Sequence, residues 1–254
     1  MPFFKAGHKL VYYAHVPKCG GSAVEHFIEG RAGEMALVDT GYMSIPESHR
    51  WSKTSPQHIN VEALERLIPL SFFEASFTIV RHPVARVVSA YHFQMEQESQ
   101  ISEHVSFSDW LEGLTEDLSD NPYRYDNHLR PMAEIVPEGA HVFYLEHGLD
   151  ALVPWFDDLL GDKSAPRAVH RVNARKPGGT KIEPTPSDLN VIKDLYGVDF
   201  ERFGYEIGEK MPKAAAPVLS PEMIAERDAE IKAAGSARAK VSKIAGKIKK
   251  KIGG

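Results

Sequence analysis

Short apolar runs are the most regular pattern in this chain, and they predict strands. Residues 10–16 (LVYYAHV) and residues 77–80 (FTIV) are mostly apolar and β-branched or aromatic, and they are too short for typical buried helices. Strands in the middle of a parallel sheet are buried on both faces and therefore read as continuous apolar stretches. These two runs predict central parallel strands, and residues 141–145 (HVFYL) are a third strand candidate.

Helical patterns lie between and after the predicted strands. One apolar helix face after the second strand consists of Val84, Val87, Val88, Tyr91 and Met95. Residues 61–68, 149–160 and 187–196 show helical patterns too, whereas residues 166–186, rich in Arg, Lys, Gly and Pro, predict a long loop. Strands that alternate with helices predict an α/β fold of three layers, in which helices cover both faces of a mostly parallel sheet.

The segment between the first strand and the next helix has the pattern of an anion-binding loop. It reads Pro17-Lys18-Cys19-Gly20-Gly21-Ser22-Ala23. Two glycines let the backbone approach an anion closely, and a helix N-terminus adds unpaired N–H donors and partial positive charge. Lys18 precedes the glycines, whereas the lysine of the GxxxxGK[ST] loop follows them. The pattern therefore predicts a phosphate site that differs from that of an ATPase.

A second candidate phosphate site follows the second strand. Arg81 stands at the carboxyl end of that strand, and Ser89 lies about two turns into the following helix. An arginine fork and a hydroxyl group can bind one phosphate together. Ligands of parallel sheets bind at the carboxyl ends of strands, so we expect both sites at one edge. The alternatives are a structural ion pair for Arg81 and a solvated loop lysine for Lys18.

These two segments, PKCGGS and RHPVARVVSAY, resemble the nucleotide-binding motifs of sulfotransferases that use 3′-phosphoadenosine 5′-phosphosulfate (PAPS). They are most similar to the carbohydrate-type family (sulfotransferase family 2), which includes heparan sulfate 2-O-sulfotransferases and their bacterial relatives. The resemblance spans roughly residues 10 to 207. That family has threonine where this chain has Cys19, and serine or threonine where it has Ala23. Two hydroxyl contacts are therefore lost, while both backbone N–H groups remain.

The resemblance implies a P-loop-like sulfotransferase fold and transfer of a sulfuryl group from PAPS to a hydroxyl group, with a carbohydrate as the expected acceptor. It implies that Lys18 stabilises the leaving oxygen, and that Arg81 and Ser89 bind the 3′-phosphate. The residues implied for the 5′-phosphosulfate are Lys18, Cys19, Gly20, Gly21, Ser22 and Ala23. No metal is required. The alternatives are an inactive nucleotide-binding homologue and an ATP-dependent small-molecule kinase.

A histidine between the two motifs is the candidate general base. His58 stands just before the predicted helix 61–68, and histidine suits proton transfer near neutral pH. Glu62 and His128 are the reserve candidates, whereas His15 is expected to be structural. The alternative for His58 is a surface or capping residue. The resemblance also implies a loop that closes over the nucleotide, and the residues at that position are Arg171, Asn173, Arg175 and Lys176. The alternatives for these residues are binding of an anionic acceptor and simple solvation.

Composition limits the kinds of binding partner, structural site and cellular location that we expect for this chain. A net charge of −5 over 254 residues gives no general case for nucleic-acid binding, and the single cysteine excludes a disulfide framework and a Cys-rich zinc site. We expect a cytoplasmic protein, because no run has the length of a signal peptide or a membrane span. Acceptor specificity is expected in loops at residues 31–55, 97–130 and 166–186.

The C-terminal part of the chain changes composition. We predict a sulfotransferase domain at residues 1–210 and an Ala/Lys-rich extension, helical or disordered, at residues 211–254. Residues 236–254 hold seven lysines and arginines and no acidic residue. A basic amphipathic helix there would make weak contact with a membrane surface. A solvated tail is the favoured alternative, and the oligomeric state is not indicated.

Overall fold

The computed structural model describes residues 2–172 and 181–252, with side chains as far as residue 236. Asn173, Arg175 and Lys176, which the sequence suggested for a loop over the nucleotide, lie outside the described residues. Across the described ranges, no helix combines the length and the apolar character that crossing a membrane requires.

Within the described ranges, four strands form one mixed sheet in the order β1-β2-β3-β4. They are β1 (Phe3–Ala6), β2 (Lys9–Ala14), β3 (Ala75–Val80) and β4 (His141–Tyr144). β1 is antiparallel to β2, whereas β2, β3 and β4 run parallel to one another. The predicted α/β fold with a mostly parallel sheet is confirmed. The three predicted strands agree with β2, β3 and β4 to within two residues at each end.

Helices surround this sheet. They are α1 (Gly21–Ala32), α2 (Val61–Glu65), α3 (Pro83–Glu96), α4 (Phe107–Asp120), α5 (Met132–Ile135), α6 (Leu152–Leu160), α7 (Pro186–Phe203) and α8 (Pro221–Ile252). Six short 3₁₀ turns lie in the connections of the described chain. One of them, Pro56–His58, contains the candidate base.

Several predicted bounds are wrong, for local reasons. The helix predicted at 61–68 ends at Glu65 and continues only as a turn, in which the Leu67 and Ile68 N–H groups both donate to the Leu64 carbonyl. Pro69 disfavours helical conformation in Ile68. The helix predicted at 187–196 continues to Phe203 beyond a non-helical Tyr196. The loop predicted at 97–130 contains α4, which begins where the Ser106 side chain accepts a hydrogen bond from the Asp109 N–H.

The core lies on both faces of the sheet, because successive β2 side chains point in opposite directions. On one face, the ring of Tyr13 stacks on Phe77 with centroids 4.9 Å apart. On the other face, Tyr12 packs with Ile59 and Leu64 beside α2. A further apolar cluster joins α3, α4 and α7. Helices therefore cover both faces, as the three-layer prediction requires.

The first turns of α8 pack against the rest of the chain. Met223 is buried in the main core, and Glu226 pairs with the buried Arg167 at 2.8 Å. Arg227 and Asp150 form a second, longer ion pair at 3.6 Å. The division into a domain at 1–210 and an extension at 211–254 stays a prediction.

The carboxyl ends of β2 and β3 lie side by side, because Ala14 is paired with Thr78 in the parallel register. The chain therefore delivers residues 15–23 and residues 81–83 to the same edge of the sheet. This is the edge at which parallel sheets bind their ligands.

Candidate active site

The loop after β2 has the backbone shape of an anion-binding turn. Lys18 and Gly20 have φ angles of 67° and 89°, in the left-handed region. A Cβ atom on Gly21 would lie 1.9 Å from Nε2 of His15, so no larger residue fits there. Gly20 caps α1 without a side-chain hydrogen bond. The N–H groups of Gly21 and Ser22 lie at the start of α1, where backbone N–H groups have no acceptor within the helix.

Lys18 projects into the cleft beside this loop. Its Nζ atom lies 3.6 Å from the centroid of the Phe93 ring, which is a cation–π contact. Burial, and secondarily the Arg81 charge, lower the pKa of Lys18 from 10.5 to about 8. Among the described residues, no carboxylate forms an ion pair with Lys18. A partly desolvated cation of this kind favours an anionic ligand.

Arg81 and Ser89 line the same cleft as Lys18, Gly20 and Ser22. Arg81 is partly buried, and its Nη1 donates to the Lys18 carbonyl at 3.2 Å. The guanidinium group therefore contacts the loop directly and keeps most of its donors for another partner. The structure brings both sequence-predicted phosphate motifs into one cleft.

Arg86 ties the phosphate motifs to a third segment, and sequence reasoning gave it no role. Its side chain is fully buried. Nε donates to the Pro17 carbonyl at 3.1 Å, while Nη2 donates to the His128 and Arg130 carbonyls at 3.0 and 2.8 Å. The only sequence signal was its place five residues after Arg81, within the motif itself.

His58 is buried at the end of the Pro56–His58 turn, so a surface role is wrong. Its Nδ1 lies 2.7 Å from Oδ2 of Asp126 and 3.1 Å from the Ser55 hydroxyl. Burial alone would raise the pKa of Asp126, but the hydrogen bonds from His58 and Ser55 outweigh burial and lower it. The carboxylate is therefore ionised at neutral pH. Asp126 was not predicted as a site residue.

Two further histidines flank His58. The rings of His15 and His128 each lie 5.0 Å from the His58 ring, in edge-to-face arrangements. Burial lowers the pKa of both His15 and His128. Nδ1 of His15 lies 2.9 Å from Glu25, and Nδ1 of His128 lies 3.0 Å from the Gln94 amide. Both flanking rings are therefore neutral at physiological pH.

His58, Asp126 and His128 place ligand-type atoms within 4.8 Å of one another, which sequence spacing did not indicate. The Asp126 oxygens, however, already accept hydrogen bonds from the Ser55 N–H, the Ser55 hydroxyl and the His58 ring. We therefore interpret these groups as a hydrogen-bonded pair with a neighbouring histidine, and we do not assign them as metal ligands.

The other residues that the sequence suggested either lie outside the cleft or have a hydrogen-bonding group that already has a partner. Cys19 is wholly buried in the core, and burial raises the pKa of its thiol to about 12. The Ala23 N–H donates to the Gly20 carbonyl at 3.0 Å. Glu62 is exposed, pairs with Arg66 and does not line the cleft, so it is excluded as a base. The described Arg171 does line the cleft.

Parallel sheets bind ligands at the carboxyl ends of their strands, and cationic side chains there can stabilise negative charge that develops during group transfer. The profile of the sulfotransferase family matches residues 1–146, which is more than half of the chain and includes both phosphate motifs, His58 and Asp126. The chain belongs to this family and is a transferase of the sulfotransferase type. Searches of curated proteins and of solved structures found no significant similarity.

Proposed function

We propose that this protein transfers the sulfuryl group of PAPS to a hydroxyl group of a carbohydrate acceptor. The observation that carries the proposal is the shared cleft. Lys18 and the first turn of α1 lie beside Arg81 and Ser89, and the buried His58 lines the same cleft. Family membership supports sulfuryl transfer in general. The donor and the acceptor are our inference.

The residues on the donor side fit a nucleotide with phosphate groups at two ends. Bound PAPS would supply a sulfuryl group activated by its bond to a phosphate oxygen. The Gly21 and Ser22 N–H groups and Lys18 would hold the 5′ end, while Arg81 and Ser89 would hold the 3′-phosphate. Lys18 would stabilise the charge that develops on the leaving oxygen.

His58 is the proposed base on the acceptor side. As the acceptor oxygen bonds to sulfur, the bond between sulfur and the leaving phosphate oxygen breaks, and the hydroxyl proton passes to His58. Nδ1 of His58 is engaged by Asp126, which leaves Nε2 to take the proton. His128 is a poorer base, because burial lowers its pKa well below the usual range.

The size of the cleft supports an acceptor larger than a single small metabolite. Its volume is about 2820 Å³, whereas pockets for one small ligand occupy about 300–1,000 Å³. The cleft therefore has room for a nucleotide together with a second, extended substrate. The carbohydrate class itself is inferred from the resemblance of the two motifs to carbohydrate sulfotransferases.

The test is a transfer assay with ³⁵S-labelled PAPS and a panel of glycans and other hydroxyl compounds. We expect labelled product with at least one acceptor, and a fall of about 10³-fold in kcat for Lys18→Ala, because that variant lacks the charge beside the leaving oxygen. Lys5→Ala, which removes an exposed lysine on β1, is the matched control and should retain full activity. Undiminished transfer by Lys18→Ala would contradict the assigned mechanism.

A nucleotide-binding protein without transferase activity is the second candidate. It is favoured by the Ala23 N–H, which is already bonded to Gly20, and by the buried Cys19 side chain. Tight binding of 3′-phosphoadenosine 5′-phosphate (PAP), together with no transfer to any acceptor in the panel, would support it. Calorimetry with ATP–Mg²⁺ against metal-free PAP tests the kinase alternative, which predicts that ATP–Mg²⁺ binds more tightly.

A further inference from the structure

We propose that Asp126 is a positioning residue for His58: it holds the ring in the Nδ1–H tautomer, so that Nε2 is free to accept the proton, and it stabilises the charged ring that results. This inference rests on the proposed function, because it concerns the base of that reaction. It adds a residue 68 positions away from His58 in sequence.

The hydrogen bonds around Asp126 indicate which nitrogen of His58 carries the proton. Asp126 accepts from the Ser55 N–H and from the Ser55 hydroxyl, both at 2.6 Å. The only hydroxyl proton of Ser55 is therefore used, and the short contact between Asp126 and Nδ1 of His58 requires the proton to be on Nδ1. An ionised carboxylate cannot donate, so the opposite tautomer would leave two acceptors facing each other.

The backbone that carries Asp126 is strained. Tyr125, Asp126 and Asn127 have φ angles of 54°, 56° and 61°, three successive non-glycine residues in the left-handed region. Most side chains other than glycine disfavour this region, Asp and Asn less than Tyr, and three such residues in succession persist only where the surrounding structure imposes the conformation. Here the turn is over-determined, because its neighbours bind it from several sides.

Asn127 anchors the strained turn to the same histidine. Its side chain is fully buried, and its Nδ2 donates to the His58 carbonyl at 2.8 Å. Its Oδ1 accepts from Nε of Arg130 at 3.0 Å. The turn at 125–127 thus binds the main chain of His58 through Asn127 and the ring of His58 through Asp126.

His15 and His128 lack this combination. Among the described side chains, the partner of Nδ1 of His128 is a neutral amide, that of Gln94. His15 has a carboxylate partner in Glu25, but its Nε2 packs against Gly21 closely enough that a Cβ atom there would overlap it. Of the three histidines, only His58 combines a carboxylate on one nitrogen with a second nitrogen that no described group occupies.

The first test measures the tautomer of His58 directly. In protein labelled with ¹⁵N-histidine, the two-bond ¹H–¹⁵N spectrum distinguishes Nδ1–H from Nε2–H, and comparison with His58→Ala assigns the signal. We expect Nδ1–H in the wild-type protein near neutral pH and a shift toward Nε2–H in Asp126→Asn. An Nε2–H tautomer in the wild-type protein would overturn the proposal, and this measurement needs no variant of Asp126.

The second test separates positioning from binding. Asp126→Asn should lower kcat by about 100-fold or more, because the proton-accepting nitrogen is no longer set. The dissociation constant of PAP should change by less than about twofold, because Asp126 contacts neither phosphate motif. Asp126→Glu, which restores the charge, should recover part of kcat.

Asp109→Asn is the matched control. Asp109 also accepts from a serine hydroxyl, at 2.7 Å, but it lies on α4 outside the cleft. An Asp126→Asn variant that is as active as wild type would overturn this inference while leaving the proposed function intact. A wild-type protein that transfers nothing to any acceptor would instead overturn the proposed function and, with it, the catalytic role of Asp126.

Discussion

The two sides of the cleft are built in different ways. The proposed donor side consists of two short contiguous segments, residues 17–23 and 81–89, which begin within three residues of the ends of β2 and β3. The proposed base side consists of His58 and Asp126, which lie 68 residues apart in the sequence, outside the regular strands and α-helices. A phosphate site needs backbone N–H groups in a fixed arrangement, which a strand-loop-helix unit provides locally. A base needs one side chain oriented by another, which long-range packing provides.

The two sides also differ in whether their charged or titratable side chains have carboxylate partners within the protein. On the donor side, the described residues include no carboxylate in an ion pair with Lys18 or Arg81. On the base side, both His58 and His15 have carboxylate partners, Asp126 and Glu25. The cations of the donor side thus remain available to a bound anion, whereas the two histidines of the base side already pair with carboxylates of the protein. Variants on the two sides of the cleft test this contrast.

The largest expected effect is on the base side. His58→Ala should lower kcat by about 10²- to 10⁴-fold, because proton transfer by a positioned side chain contributes about that much. The affinity for PAP should change little, since no described contact joins His58 to the phosphate motifs. Steady-state rates and calorimetry measure the two quantities. His8→Ala, an exposed histidine at the turn between β1 and β2, is the control. A large loss of PAP affinity would show that the two sides are not separable.

A smaller effect is expected for the arginine on the donor side. Arg81→Ala should weaken PAP binding by about 10- to 100-fold. This corresponds to the loss of roughly 1.5–3 kcal/mol of binding free energy, which is typical of hydrogen bonds from a charged group. ADP, which lacks the 3′-phosphate, should lose much less. Calorimetry compares the two ligands. The control is Arg66→Ala, which removes an exposed arginine that pairs with Glu62 outside the cleft. Equal weakening of both ligands would contradict the 3′-phosphate role.

The smallest effect concerns the protonation of Lys18. Burial and Arg81 lower its pKa from 10.5 to about 8, so the free protein loses this charge as the pH rises above about 8. A bound anion favours the charged form and raises the pKa again, so binding of PAP near pH 9 should take up a proton. Affinity should then fall by at most about tenfold per pH unit.

Calorimetry in buffers of different ionisation enthalpy measures this proton uptake. Lys18→Arg should abolish it, because a guanidinium group stays charged at this pH. No uptake by the wild-type protein at pH 9 would show that Lys18 does not meet the anion. The protonation of Lys18 would then be independent of ligand binding, and this difference between the two sides would disappear.

Much of the fold followed from the sequence, and the exceptions have physical causes. β2, β3 and β4 were predicted because buried parallel strands read as continuous apolar runs. β1 was not predicted, since Phe3–Ala6 is a short edge strand with an exposed Lys5. α4 was overlooked although Phe107, Trp110, Leu111 and Leu114 have helical spacing. Its acidic exposed face makes the segment resemble a polar loop.

The donor side of the site was also predicted from the sequence, and the base side only in part. Lys18, Gly20, Gly21, Ser22, Arg81 and Ser89 were singled out and line one cleft. His58 was singled out as well, but neither Asp126 nor Arg86 was given a role. Their contacts reach the Ser55–His58 turn and the Pro17 and His128 carbonyls, which no local pattern connects to them.

The sequence by itself determined the three parallel strands, most of the helices beside them, the sulfotransferase motifs and the glycine-containing loop at the start of α1. These features depend on residues close together in the chain, where periodicity, glycine conformation and helix ends act locally. Only the tertiary structure decided which histidine has a carboxylate partner, and that Arg86 ties the two motifs to the segment that carries Asp126. Hydrogen bonds between distant segments form only when the core brings those segments together, so their partners cannot be read from local spacing.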